Sequence, residues 1–232
     1  MKRINNDTKL KSYIKHYKIN DIFSKDVSMH MKLFHFIQGE YIYQEGDELN
    51  YFYFFVEGKA KVFSTLANGK SLLLSFYEPL KILGDAEIVN QDLVTVNVKV
   101  ISDAYCIGIP ADYVKQHLLT DIKFLQFLCS DLGRKLNRCS KNSSINLLYP
   151  LENRFASYIL AIETKEFATN NTLTFYDSLT EISELLGTSY RHLLRTINAF
   201  IEKGILQKGV NGYEVINKIP LQEMASDLYS NQ

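Results

Sequence analysis

The sequence predicts an α+β protein with three successive parts: a β-barrel of the jelly-roll type, a long helix and a winged helix-turn-helix. Three observations predict this order. Short apolar runs punctuated by glycine fill the first half of the chain, a heptad repeat of apolar residues follows, and two short helical patterns beside a hairpin pattern come last. We place the boundaries of the three parts at 1–110, 111–146 and 147–232.

Length and composition fit this organisation. A chain of 232 residues can form two modest domains with separate cores, and 46% hydrophobic with 22% charged residues is ordinary for a soluble globular protein. No apolar run approaches the roughly 18–20 residues of a membrane span. Polar residues rather than an apolar segment follow Met1-Lys2-Arg3, and three widely spaced cysteines fit a reducing compartment. We therefore expect a cytoplasmic protein without a membrane partner.

The first part should contain a short amphipathic helix followed by many short strands. The helix is expected at 8–17, where apolar residues recur at helical spacing. Turn residues such as Glu57-Gly58 and Asn68-Gly69 then separate β-rich runs at 51–56, 59–64, 71–76 and 94–100. Strands of this length and spacing are typical of a jelly roll or small barrel.

The second part has a single apolar seam with alternating spacings of four and three residues. Its members are Leu118, Ile122, Leu125, Cys129, Leu132, Leu136 and Cys139. Such a seam usually closes on a partner helix, so we favour a parallel homodimer over packing of the seam against the barrel. Cys129 and Cys139 are expected to act there as small apolar residues, with redox bridging between symmetry mates as the alternative. The polar residues 142–144 predict a hinge, and a further helix is expected at 151–166.

The third part has the pattern of a helix-turn-helix. One short helix presents an apolar face that includes Ile182 and Leu185, Gly187 ends it, and Thr188 or Ser189 can cap the next helix. The second helix turns Leu193, Ile197, Phe200 and Ile201 inward. Left outside, near its N-terminus, are Tyr190, Arg191, His192 and Arg195, where a recognition helix keeps its base-reading side chains. An ordinary helical hairpin is the alternative.

A β-hairpin pattern follows directly and strengthens the DNA-binding interpretation. Two short apolar runs flank Asn211-Gly212, a pair that tolerates the backbone angles of a tight turn. In a winged helix this hairpin would place Lys208 near the DNA backbone. The region from Pro150 onward has seven Lys or Arg and ten Asp or Glu, and the whole chain has zero net charge. These charges argue against indiscriminate DNA binding and remain compatible with a specific site.

This order of parts resembles the Crp/Fnr family of transcription regulators over nearly the whole chain. Residues 39–47 and 53–58 are similar to the opening of that family's effector-binding barrel, and Leu83-Gly84-Asp85 sits where its phosphate-binding cassette begins. Within the family, the chain is most similar to the YeiL branch. The stretches that carry this likeness are 33–36, 65–70, 150–154 and 186–194. The resemblance implies a homodimer that binds an inverted-repeat operator in double-stranded DNA and recruits or blocks RNA polymerase.

The resemblance also assigns positions to the DNA-reading helix. Tyr190, Arg191, Leu194 and Arg195 would face base edges, while Thr188 and Ser189 would anchor the helix N-terminus to the DNA backbone. Many family members have glutamate at the position of Arg191. An arginine there should prefer the O6 and N7 acceptors of guanine, or a phosphate.

The expected cyclic-nucleotide pocket departs from the family pattern. Gly84 is followed by Asp85 where the family usually has glutamate, and Val94, just before Thr95, takes the place of the arginine that pairs with the cyclic phosphate. The adenine-contacting positions of the long helix correspond to Cys139-Ser140. We therefore expect a degenerate pocket that does not bind cyclic AMP. A different small-molecule effector, or activity without a ligand, stays open.

No cofactor, metal or enzymatic chemistry is expected. The chain has no cysteine before Cys106, so it cannot supply four thiolates to an iron–sulfur cluster of the family's kind, and isolated histidines such as His30, His35 and His117 are expected to be structural. No nucleophile motif or phosphate-binding glycine loop is present. The alternative function is a regulatory subunit that senses a cyclic nucleotide or another small molecule and acts on a protein partner.

Overall fold

The computed structural model describes residues 1–67, 69, 71–162, 178–209 and 212–225. The chain divides into two compact units. The first comprises Met1–Ser64 and Phe76–Arg138, and the second comprises Thr65–Ser75 and Cys139–Gln232. The predicted α+β class is confirmed, because an antiparallel sheet and a set of helices occupy successive parts of the chain.

A seven-stranded sheet forms the barrel-like part of the molecule. Its strands are β1 (Lys2–Ile4), β2 (Lys32–Phe36), β3 (Tyr41–Tyr43), β4 (Tyr51–Thr65), β5 (Ser71–Tyr77), β6 (Lys81–Leu83) and β7 (Asn97–Pro110). The hydrogen-bonded order is β1-β2-β7-β4-β5, with β3 pairing with β7 and β6 pairing with β4. The long strands β4 and β7 therefore make most of the sheet.

Strand β4 is one continuous strand, whereas the sequence predicted two. The predicted break at Glu57-Gly58 is a set of register shifts against β7 between Phe55 and Ala60. Gly58 has a φ of +99°, and a Cβ atom there would lie 2.5 Å from the Asp103 carbonyl oxygen. A glycine lets the strand bend at this point without ending. Strand β7 also begins at Asn97, three residues after the predicted start at Val94.

Helices cover the sheet and complete its core. They are α1 (Asp7–His16), α2 (Asp85–Asn90), α3 (Ala111–Tyr113) with a π-helical turn at Val114–Leu118, and α4 (Ile122–Leu148). Phe124 and Leu128 of α4 are almost completely buried in the apolar core of the sheet. Phe124 stacks on Phe23 with ring centroids 5.4 Å apart. Burial of these side chains holds the first half of α4 against the sheet.

The predicted apolar seam needs one correction, because Leu118 does not belong to it. Leu118 lies in the π-helical turn before α4 and is 97% buried in the core of the first unit. The residues after it break the helix, and Asp121 caps a new one by accepting hydrogen bonds from the backbone amides of Lys123 and Phe124. The six other members, from Ile122 to Cys139, all lie on α4, which runs without a break through the predicted hinge at 142–144.

The second unit is mainly helical after α4. It contains α5 (Leu151–Ile162), α6 (Leu179–Leu185), α7 (Tyr190–Glu202), a hairpin of β8 (Leu206–Gly209) and β9 (Gly212–Val215), and α8 (Ile219–Ala225). The end of the helix predicted at 151–166 falls beyond Ile162, outside the described residues. Phe155 of α5 and Phe200 of α7 are fully buried with ring centroids 5.7 Å apart. Within the described ranges, no helix is both long and apolar enough to cross a membrane.

Candidate nucleic-acid interface and ligand cassette

The two helices α6 and α7 are defined by local signals at each end. Ser178 caps α6 by accepting from the Glu181 amide at 3.2 Å, and Ser189 caps α7 by accepting from the His192 amide at the same distance. Between the helices, Gly187 takes a left-handed backbone angle of +60°. Of the two capping candidates, Ser189 is therefore the one that caps α7, and its neighbour Thr188 packs its hydroxyl 3.3 Å from the ring of His192.

Helix α7 has one buried and one exposed face. Its buried face contains Leu193, Ile197 and Phe200, each with no solvent exposure. The predicted DNA-reading residues Tyr190, Arg191 and Arg195 are exposed, and Leu194 is half-buried beside them. The first turns of α7 thus present a phenol and two guanidinium groups on one accessible surface.

Arg154 is a residue of this region that the sequence analysis did not assign to the site. Its guanidinium donates a hydrogen bond to the carbonyl oxygen of Leu186, at the C-terminal end of α6. Carbonyls at a helix end lack helical partners, so a cation there satisfies one of them. Arg154 thereby links α5 to the turn that orients α7. The only sequence signal was its place in the stretch 150–154.

The hairpin next to α7 places one basic residue on its first strand. Strands β8 and β9 pair in antiparallel register with Lys208 opposite Tyr213, and Lys208 is exposed. The predicted turn at Asn211-Gly212 falls partly outside the described residues, which exclude Val210 and Asn211. The two strands predicted from the sequence are present on either side of it.

The glycine-acid pair of the predicted cassette lies at the start of α2. Gly84 has a φ of +88°, and a Cβ atom at this position would lie 2.7 Å from the Tyr43 hydroxyl and 2.9 Å from the nearest carbon of Leu49. This crowding and the positive φ together require glycine. Asp85, the next residue, is 97% buried.

At the other end of the cassette, Thr95 is held by a carboxylate of the chain itself. Oε1 of Glu87 accepts hydrogen bonds from the Thr95 hydroxyl at 2.8 Å and from the Thr95 amide at 3.2 Å. Glu87 is 95% buried. Val94, at the position expected for an arginine, is buried and exchanges backbone hydrogen bonds with Gly46 and Asp47.

The helix residue that reaches the cassette is Lys135, which the sequence analysis did not single out. Its ammonium group lies 2.6 Å from Oδ1 of Asp85, 2.8 Å from the carbonyl oxygen of Ile82 and 3.5 Å from Oδ2 of Asp131. Burial opposes the charge on Lys135, but the acidic groups around it outweigh burial and raise its pKa above the usual value. For Asp85, burial disfavours the charged carboxylate and raises its pKa, and the positive charge of Lys135 opposes that rise.

Cys139 and Ser140, the positions expected to contact an adenine, are exposed on α4 beyond the limit of the first unit. The three histidines considered as ligands lie beside aromatic or carboxylate side chains, and His117 has its ring centroid 4.8 Å from that of Tyr113. His30 stacks on Tyr113, and His35 lies 3.5 Å from Asp103. Among the residues that the structure describes, no group of three or more metal-ligating side chains occurs.

Comparison with known proteins identifies the family. Residues 33–121 match the model of the cyclic nucleotide-binding domain. The chain is 33% identical over 208 residues to the regulatory protein YeiL of Escherichia coli O157:H7, and this match covers 90% of the chain and 92% of that protein. The chain belongs to the Crp/Fnr family of transcription regulators. Its resemblance to the YeiL branch, expected from the sequence, is confirmed.

A second relative by sequence is more distant, and a solved structure shares the fold. The cyclic AMP receptor protein of Thermus thermophilus is 23% identical over 195 residues, a match that covers 82% of the chain and 87% of that protein. A transcriptional regulator of the CRP/FNR family from the same species has a similar fold, with a TM-score of 0.64 and 16% identity over 84% of this chain and 98% of the other. The relatives by sequence are regulatory proteins, and the structural match agrees with the architecture described above.

Proposed function

We propose that this Crp/Fnr family member is a homodimeric, sequence-specific DNA-binding transcription regulator that acts in the cytoplasm. The observation that carries the proposal is the accessible surface of α7, where Ser189 caps the helix and Tyr190, Arg191 and Arg195 are exposed over a buried apolar face. A helix with this polarity fits the major groove, and its free N-terminal amides favour a nearby phosphate. RNA polymerase is the partner that follows from a role in transcription.

The proposal gives each exposed group a separate task. Arg195 contacts the O6 and N7 atoms of a guanine, Arg191 contacts a second guanine or a phosphate, and Tyr190 touches a thymine methyl group or a phosphate. Leu194 adds an apolar contact. Thr188 and Ser189 hold the helix N-terminus at the DNA backbone. Lys208 of the hairpin contacts a phosphate without reading sequence.

The proposed division of labour follows the three parts of the chain. Residues 1–110 form the sensing barrel, 111–146 provide the dimerisation helix, and 147–232 bind DNA. Since two symmetric copies would each place one recognition helix, the operator should be an inverted repeat with half-sites about one helical turn apart. The apolar stripe from Ile122 to Cys139 on α4 supports dimerisation, because four of its members are exposed and an exposed apolar stripe favours a partner. These four are Ile122, Cys129, Leu136 and Cys139, whereas Leu132 is half-buried and Leu125 packs against the core of the first unit.

We further propose that the cassette does not respond to cyclic AMP. Val94 offers no charge to a cyclic phosphate, and the donors of Thr95 already bind Glu87. Burying a phosphate there would leave its charge uncompensated. Calorimetry should detect at best weak binding of cyclic AMP, and a dissociation constant below one micromolar would refute this part of the proposal. No enzymatic activity is proposed, because the exposed groups suit recognition rather than nucleophilic chemistry.

Selection from random duplexes tests DNA recognition directly. Wild-type protein should enrich an inverted repeat, and Arg195→Ala should lose about 1–3 kcal/mol of affinity and relax the preference at one base pair per half-site. Lys208→Ala should instead weaken binding to all sequences and flatten the salt dependence. Lys203→Ala, at the exposed far end of α7, is the matched control and should leave both properties unchanged. An Arg195→Ala variant that enriches the wild-type motif would show that Arg195 reads no base.

A further inference from the structure

Helix α4 contacts the cassette through an ion pair between two side chains of the protein, Lys135 and Asp85. Lys135 extends from α4 and is four-fifths buried at its side chain, and Asp85 at the start of α2 is buried almost completely. The same ammonium group also binds the carbonyl oxygen of Ile82 in β6. One side chain of the long helix thus joins both the strand and the short helix that flank Gly84.

The partners of Lys135 differ in how much they depend on it. Oδ1 of Asp85 accepts a hydrogen bond from the ammonium group of Lys135. Oδ2 is buried without a hydrogen-bond partner in the described part of the chain. Asp131, in contrast, also has Arg134 at 3.2 Å. Removing Lys135 would therefore leave Asp85 as a buried carboxylate without a counter-charge, which is a costly state.

At the other end of the cassette, the hydrogen-bond donors of Thr95 are also bonded to a side chain of the protein. An anionic ligand would need the amide and hydroxyl donors of Thr95, and Glu87 already holds both with a carboxylate oxygen. A ligand hydroxyl would need a carboxylate acceptor, and Asp85 already holds an ammonium group. Both donors of Thr95 and one carboxylate oxygen of Asp85 are therefore bonded to groups of the chain itself.

We propose that Lys135 replaces a bound effector: it holds helix α4 on the barrel through Asp85 and Ile82, so that the helix stays docked there without a ligand. This inference rests on the proposed function, since it concerns how that regulator is controlled. The consequence is a regulator whose operator binding is independent of cyclic nucleotides.

A double-mutant cycle on the 232-residue chain tests the proposal. Lys135→Met should lower the melting temperature by roughly 10 °C and increase the hydrogen exchange of the α4 amides between residues 124 and 138. Asp85→Asn alone is the second single variant of the cycle. Asp85→Asn combined with Lys135→Met removes both charges and should recover most of the melting temperature. Lys123→Met is the matched control, because Lys123 is an exposed lysine of the same helix, and it should change neither quantity.

Operator binding supplies the second measurement. Lys135→Met should bind the selected operator at least tenfold more weakly than wild type, and cyclic AMP should change the affinity of wild type by less than twofold.

If the single variant does not fold, recovery of folding in the double variant still demonstrates the coupling, whereas a double variant that also fails to fold would refute it. Unchanged exchange in Lys135→Met, or a tenfold gain of wild-type affinity with cyclic AMP, would overturn the proposal. Failure of wild type to enrich any duplex would count against the proposed function instead, because the thermal cycle and the exchange measurement involve no DNA.

Discussion

Leu136→Ala tests whether the exposed stripe of α4 is the dimer interface. Leu136 is 69% exposed in the single chain. The substitution removes three carbons, each worth about 0.8 kcal/mol when buried, so burial of the exposed fraction accounts for about 1.7 kcal/mol in each protomer. A symmetric pair contains two copies, and about 3.4 kcal/mol corresponds to a roughly 300-fold weaker dimer.

Sedimentation equilibrium over a range of protein concentrations measures this constant directly. Asn137→Ala is the matched control, since Asn137 is exposed on α4 about a quarter-turn away from the stripe. It should associate like wild type, whereas Leu132→Glu, which places a charge within the stripe, should be monomeric and lose tight operator binding. Equal dimer constants for Leu136→Ala and Asn137→Ala, or a wild-type monomer at micromolar concentration, would refute the assignment of this face.

Three smaller perturbations test other parts of the structure. Ser189→Ala removes the cap of α7 and should cost about 1 kcal/mol of stability and weaken binding to every duplex, as measured by thermal unfolding and mobility shift. Arg154→Met leaves a carbonyl at the end of α6 without its partner and should weaken operator binding while sedimentation shows an unchanged dimer. Burial opposes the charge on Asp121, but hydrogen bonds from Ser24 and the first amides of α4 outweigh burial and lower its pKa. Its stabilising contribution is therefore present above the pKa of the unfolded chain, near 4, and is lost as the pH falls through the lower folded value. Thermal unfolding between pH 6 and pH 3 should show a smaller loss for Asp121→Asn than for wild type.

The elements that the sequence predicted well are those specified by local signals. The helix-turn-helix could be located from the sequence, because its signals lie close together in the chain. These signals are the turn residue Gly187, the cap Ser189 and the helical spacing of the apolar residues of α7. The break before α4 was missed because Leu118 happens to continue the heptad spacing, although it is buried in another element. The continuity of β4 through Gly58 was also missed, since a bulge and a turn use the same residue type.

The charged part of the cassette could not be predicted, because it depends on contacts between residues far apart in the chain. Lys135 and Asp85 are separated by 50 residues, and no sequence motif contains both of them. A lysine on a helix is usually solvated, and nothing in its local spacing shows that a buried carboxylate will face it. Glu87 is only eight residues from Thr95, but no local motif shows that its carboxylate turns back to the donors of Thr95.

Helix α4 carries two different stripes, and the angle between them explains why one remains exposed. Phe124, Leu128, Asp131 and Lys135 repeat with spacings of four, three and four residues and face the sheet. The predicted seam has the same periodicity but starts two residues earlier, at Ile122, and at 100° per residue its mean direction lies about a quarter-turn away. A heptad pattern alone cannot tell which stripe meets the barrel. Because the stripe with the aromatic and charged residues is the one that is buried, most of the apolar stripe from Ile122 to Cys139 stays accessible, and only Leu125 packs partly against the core. A second copy of the same helix matches this stripe in periodicity.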